Sequence, residues 1–190
     1  MRVPLIPVLL LMGWLAGCAG QSSVKPVEAL DERTGVTVGA LKEPIELVPS
    51  AQNALISHQR LSFAYLGPVE WDRSGAISNG LWIHIAPGNA LQPGDIHAAA
   101  ALTLNLDDGP LALSLIEVPT LGRDPYKRVA SWGQTAYFDL NVEMLRRMAA
   151  SRKLGLDVRA QDGSIISFSP TLDTRAALSQ YLHARGITGD

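Results

Sequence analysis

The sequence predicts a mainly β, α+β domain: an antiparallel sheet or sandwich with two helices of the C-terminal half packed against it. Three observations carry this expectation. Apolar and polar residues alternate through much of the chain after residue 35, the period of a half-buried strand. Two stretches, "LTLNLDDGPLALSLI" and "LGLDVRAQDGSIISFSP", read as hairpins whose registers can be worked out. Two further segments repeat their apolar residues at helical spacing.

Taken in order, Val36 and Val38 alternate with Thr37, and Ile45 and Leu47 with Glu46. Pro44 and Pro49 punctuate the second of these strands and predict a sheet edge. In "LSFAYLGPVEWDRSGAISNGLWIHIAP", Leu61, Phe63 and Tyr65 share a face, and Val69 and Trp71 continue it after Gly67-Pro68. "DRSG" at 72–75 is a turn signal, and Leu81, Ile83 and Ile85 form the next inward set.

In the first hairpin, pairing Leu106 with Leu111 puts six leucines on one face, with a four-residue loop from Asp107 to Pro110. A tighter Asp108-Gly109 turn would need the residue-110 amide, which proline lacks. In the second, a three-residue loop, Gln161-Asp162-Gly163, pairs Ala160 with Ser164, Val158 with Ile166 and Leu156 with Phe168. That arrangement needs Gly163 at positive φ. A one-residue slip would reverse every side chain.

"LNVEMLRRMAASRKLG" places Val142, Leu145, Met148 and Ala149 on one helix face. Asn141 or Asp139 can cap its start, Arg152 and Lys153 suit its negative end, and Gly155 is the expected stop. In "LDTRAALSQYLHARG", Leu178, Tyr181 and Leu182 recur at helical spacing, with Asp173 as cap and Gly186 as stop.

The first residues, "MRVPLIPVLLLMGWLAGC", carry one charge, Arg2, and an apolar stretch from Val3 to Leu15. That stretch suits a signal-peptide core and is short of the roughly 20 residues a membrane-spanning helix needs. Leu15-Ala16-Gly17-Cys18 resembles the lipobox of bacterial lipoproteins, and the "DERTGVTV" opening of the domain resembles that of uncharacterised proteobacterial lipoproteins. The resemblance implies diacylglycerol on the Cys18 thiol, cleavage before Cys18 and acylation of the new amino terminus. Ala19 in place of Asp implies sorting to the outer membrane, facing the periplasm, in a Gram-negative host. The expected organisation is a lipoprotein signal peptide over 1–17, a lipidated N-terminus and short tether over 18–30, and one globular domain over 31–188.

Cys18 is the only cysteine, so after acylation neither disulfides nor thiol chemistry remain. The composition, 47% hydrophobic and 18% charged, is that of a globular chain. The formal charge of −2 lacks the basic footprint of a nucleic-acid binder.

The sequence carries no G-x-S-x-G elbow, phosphate loop or H-E-x-x-H motif. His84, Asp95 and His97 have the chemistry of zinc ligands but no spacing signature. A partly exposed strand histidine and an unrelated loop pair account for them better. Ser114 or Ser131 could be matched with His84 or His97 as a nucleophile and base, and nothing selects among the combinations. Asp107 and Asp108 are explained as turn residues. No catalytic residue, metal site or cofactor is therefore expected.

The remaining candidate is "LGRDPYKRVASWGQTAYFD", which interleaves basic and aromatic residues, the types enriched at binding hot spots. Arg123, Tyr126, Arg128 and Trp132 are its candidate partner-binding residues, toward an envelope protein, a glycan or lipid headgroups. Competing with this is a plain reading in which Trp132 and Tyr137 anchor a sheet edge and the cations stay solvated. The functional expectation is a non-enzymatic binding or accessory protein held to the cell envelope by its lipid. A small envelope hydrolase and a structural subunit of an envelope complex are the alternatives.

Overall fold

The computed structural model describes residues 25–50, 63–86, 102–118, 122–160 and 163–187. Among them the order is β1 (Pro26–Asp31), β2 (Val36–Leu41), β3 (Ile45–Pro49), β4 (Phe63–Arg73), β5 (Ala76–Ala86), β6 (Leu102–Leu106), β7 (Gly109–Ala112), β8 (Leu115–Ile116) and β9 (Gln134–Asp139). Then follow α1 (Val142–Ala150), β10 (Gly155–Arg159), β11 (Ile165–Pro170) and α2 (Arg175–Ala184). The strands form one antiparallel sheet in the order β7-β6-β10-β11-β3-β4-β5-β9-β8, with β2 also on β4 and β1 on β2. The protein is thus mainly β, with two helices on the sheet, as the alternation predicts.

The long strand β4 organises the sheet. Along one edge it pairs with β5 from Phe63↔Ala86 to Arg73↔Ala76. Along the other it pairs with β3 over Ala64–Leu66 and with β2 over Val69–Asp72. Two strands thus share one edge, and the sheet turns a corner between them at Lys42–Pro44.

One face carries Leu47, Leu66, Ile83, Ala136, Leu104, Leu156 and Phe168, all buried, and α1 and α2 supply Leu145, Met148, Leu178 and Tyr181 to the same core. Burial of this many large apolar side chains is the main stabilising term. The opposite face carries Val38, Val69, Trp71 and Trp82 in the region of β2, β4 and β5, also buried.

The second hairpin forms as expected. Leu156 faces Phe168 and Val158 faces Ile166, Ala160 N–H donates to Ser164 O at 2.9 Å, and Gly163 has φ 84°. Gln161 and Asp162 of that loop lie outside the described residues. Asn141 caps α1 by accepting from the Met144 amide at 2.8 Å. Gly186, at φ 67°, ends α2, and the Ile187 amide donates back to Leu182 O in the manner of a Schellman stop. The Asp173 side chain accepts from the Arg175 amide, one residue ahead of the helix boundary at Thr174.

Four expectations change. The β6–β7 register is Leu106↔Gly109 and Leu104↔Leu111, two residues from the predicted Leu106–Leu111 pairing. The turn is Asp107-Asp108. Pro110 then faces Asn105 at a non-hydrogen-bonded position on an edge strand, where its missing N–H costs nothing. β3 is internal, between β11 and β4: Pro44 precedes it and Pro49 ends it, so neither proline interrupts the ladder. Gly155 opens β10, and α1 instead stops at Ser151, which is extended. Finally, Pro26–Leu30, expected as tether, belongs to β1. Its side chains are mostly exposed, so backbone pairing with β2 holds it, and such a strand leaves little hydrophobic pattern.

At the β1–β2 end, α2 is fastened to the sheet by a buried cation. The Arg185 guanidinium, 4% exposed at its side chain, bonds Glu28, lies 3.4 Å from Glu70 and donates to Val27 O at 3.2 Å. It lies directly on Gly39, where any Cβ would collide with it. Burial pushes the Glu70 carboxyl above its ordinary value, opposed by Arg185 and aided by Glu28 and Asp72.

Two predictions follow from these contacts. Gly163→Val should lower stability by about 1–2 kcal/mol, because the residue must hold a left-handed conformation. There is open space around the position, so sterics add nothing, and an unchanged urea midpoint would contradict the bulged turn. Glu70 binds its proton more tightly folded than unfolded. Its contribution therefore falls as pH rises from the unfolded value of 4.5 through the higher folded one. Glu70→Gln should lose less stability than the native chain between about pH 4 and about pH 7. Parallel urea curves at the two pH values measure this.

Candidate functional site

On the face opposite the helices, residues 122–133 run across β4 and β5 toward β9. The Gly122 amide starts the crossing by donating to Asp31 Oδ2 at 2.5 Å, and that bond holds the Asp31 carboxyl below its usual range. Tyr126 then enters the sheet. Its hydroxyl donates to Pro68 O at 2.7 Å and accepts from the Leu41 amide at 3.0 Å. Its ring lies on Gly67, with no room for a Cβ beneath it.

Under the loop is a stack of rings. Tyr126 meets Trp82 at 4.9 Å, and Trp82 lies parallel to His84 at 5.6 Å and 15°. Pairing explains the alignment: Gly67 faces Trp82 and Tyr65 faces His84 across β4–β5, and Thr135 faces His84 across β5–β9. His84 Nδ1 is 2.8 Å from Thr135 Oγ1. Its Nε2 faces Gly133, whose missing side chain makes the contact possible. The Ala130 carbonyl lies on the same side and favours a proton on the ring, but Nε2 makes no hydrogen bond of ordinary geometry. Burial, the largest influence, and then Arg128 lower the affinity of His84 for a proton, so the ring is neutral at neutral pH.

The tip of the loop points outward. The Gly133 amide closes a turn onto Ala130 O at 3.1 Å, and Trp132, at the corner of that turn, is 71% exposed, with Val129 at 56%. Arg128 is paired with Asp124 at 2.8 Å on the surface. Arg123 and Lys127 are exposed beside them.

The expected binding residues therefore divide. Trp132, Arg123 and Arg128 are on the surface, and Trp132 does not anchor a sheet edge. Tyr126, expected among the partner-facing residues, is 2% exposed and instead seats the loop. His84, expected as a partly exposed strand residue, is fully buried, because the loop covers it. Cys18, Asp95 and His97 lie outside the described residues. No group of three or more His, Cys, Asp or Glu among the described residues is placed to hold a metal ion.

His84 bonds the Thr135 hydroxyl at 2.8 Å and stacks on Trp82 inside the domain, away from solvent. Ser114 and Ser131 are both exposed, whereas His84 is buried. Asp107 and Asp108 are occupied at the end of α1: Asp107 accepts from the Arg152 amide, and Asp108 takes a two-point bond from Arg147. An open groove of about 690 Å³ crosses β6, β10 and β11, lined by Asn105, Lys153, Asp157, Ser167 and Asp173 among others. Asp173, one of its charges, is bound to Arg175.

Gly67 and Gly133 are the functional positions that pattern reading passes over. A glycine inside a strand signals close approach by another group, and at Gly67 that group is the Tyr126 ring.

Tyr126→Phe should destabilise the domain by roughly 2–3 kcal/mol, because it leaves a buried amide and a carbonyl without partners. Trp132→Ala should stay within about 0.5 kcal/mol of the native chain. Denaturant unfolding of the two variants separates the anchor of the loop from its exposed tip. Compared with protein-family models, curated proteins and solved structures, the chain finds no significant match.

Proposed function

We propose that this chain is a lipid-anchored protein of the bacterial cell envelope with a non-enzymatic binding or accessory role, and that the 122–133 loop is its contact surface. Cys18 carries the lipid. The domain, set close to the membrane by its short tether, presents the loop to whatever it binds.

The observation that supports this reading best is the contrast within the loop. Tyr126 is buried and hydrogen-bonded at both functions of its hydroxyl, while Trp132, six residues on, is among the most exposed large apolar side chains described. An indole left in water beside a buried, hydrogen-bonded tyrosine offers a partner a large amphipathic contact. An aromatic side chain has few rotatable bonds to immobilise on binding, which suits a hot-spot residue. The Leu15-Ala16-Gly17-Cys18 motif supports the anchor.

Two experiments test the reading. Cys18→Ala should leave the precursor unprocessed and free of incorporated fatty acid, and normal acylation of that variant would end the lipoprotein assignment. A photoreactive residue at position 132 should give a discrete adduct in native envelopes, and one at position 77 should not. Equal labelling from both positions would remove the loop as the contact surface.

A further inference from the structure

We propose that the Val129–Trp132 tip docks on phospholipid, with the indole at the headgroup–acyl boundary of the bilayer that holds the chain's own anchor. This rests on the lipid-anchor reading and names the partner of the same loop.

Direction comes first. Pro26 pairs with Leu41, which lies beside Pro68, the next position after Ala40↔Val69. From there β1 runs toward Asp31 and the hairpin tips at Thr34 and Ser74. Lys25, where the described chain begins, thus lies on the side of β1 away from those tips. Gly133 lies at that same end: Gln134 faces Ile85, which faces Ala64. Counted along β4, Gly133 and its turn lie about four residues, roughly 13 Å, beyond Lys25 in the direction away from the Thr34 and Ser74 tips.

Reach is the second argument. Six residues lie between Cys18 and Lys25 in the sequence, so seven residue steps span at most about 23 Å when extended. That covers the roughly 13 Å by which the tip leads Lys25. The bilayer surface is therefore within range of Trp132 while Cys18 remains acylated.

Chemistry is the third. The tip offers an indole and a valine, with exposed Lys127 and Arg128 just before them in the chain and one acid, Asp124, paired with Arg128; Arg123, next to the Gly122 that bonds Asp31, lies toward the other end of the sheet. A tryptophan flanked by cations suits an interface where the ring sits among headgroups and the cations meet lipid phosphates. Leu30 and Ile77, the two most exposed large apolar residues of the described strands, share a row at the far end through Thr37 and Asp72. They face away from the membrane in this orientation.

The test uses the acylated full-length mature chain in vesicles of mixed zwitterionic and anionic phospholipid, with or without bromine on the acyl chains. Trp71 and Trp82 are buried, so the difference between the native chain and Trp132→Phe isolates the signal of Trp132. That signal should be blue-shifted and lose roughly half its intensity in brominated vesicles, as for an interfacial indole. A Trp132→Phe, Ile77→Trp double variant should keep its emission. If the chain floats with the vesicles while Trp132 is no more quenched than a tryptophan at 77, the docking proposal is overturned and the anchor stands. If the chain does not float with the vesicles at all, the anchor reading fails and takes the proposal with it.

Discussion

Where β2 leaves β4 and β3 takes its place, the next pair in the ladder would join Leu41 to Pro68. Proline has no N–H, so the reciprocal bond cannot form. The Tyr126 hydroxyl occupies the gap, accepting from Leu41 and donating to Pro68. Much of the loop-covered face depends on this substitution. It completes the two backbone groups at the corner, and it needs Gly67 bare so that the ring can lie flat. It also fixes residues 122–133 over Trp82 and His84. Burial pushes the phenol far above its ordinary value, so the hydroxyl keeps the proton it donates.

The helical face is closed by different means. Its core is almost wholly apolar, and the one charged feature, Arg185 with Glu28 and Glu70, sits at the rim where α2 reaches β1 and β2. Burying such a cation is costly, and removing a partner from a buried ion pair costs more than the pair itself contributes. Two carboxylates, one backbone carbonyl and the Tyr181 ring at 5.3 Å surround it. The cluster ties the first described strand to the last helix, so segments far apart in sequence close the sheet together. The absence of a side chain at Gly39 is a condition for this, as at Gly67.

The Gln161–Gly163 loop and both helices were legible in the sequence because local rules specify them: glycine at positive φ, an Asn cap, apolar spacing. Pro110 shows a local rule applied one step short. Its missing N–H does constrain the turn, but moving the register by two residues satisfies it as well as lengthening the loop, and preserves the leucine face. Strand β1 was illegible because nothing in its side chains reports backbone pairing. The candidate site was half legible. Basic and aromatic interleaving marked the loop, but composition cannot separate the tyrosine that is inserted from the tryptophan that is presented. That distinction lies in Gly67 and Pro68, nearly sixty residues upstream. His84 was misread for the same reason: its cover comes from a distant segment.

One exposed tryptophan with a few cations makes a weak contact, too weak to hold a free domain on a surface. In an acylated chain the arithmetic differs. Under the proposed anchoring, the six residues between Cys18 and Lys25 would confine the domain to a thin layer above the bilayer, and a second contact on such a tether would form at an effective concentration in the millimolar range. The tip then need not supply affinity, only orientation. The domain would otherwise pivot about Cys18 and present any of its faces. A tip seated through Tyr126 and the Gly133 turn would select one attitude, with the Leu30–Ile77 end directed outward. In the proposed arrangement the firm seating of the loop and the weakness of its exposed contact belong together: the anchor would supply the binding energy, and the loop the direction.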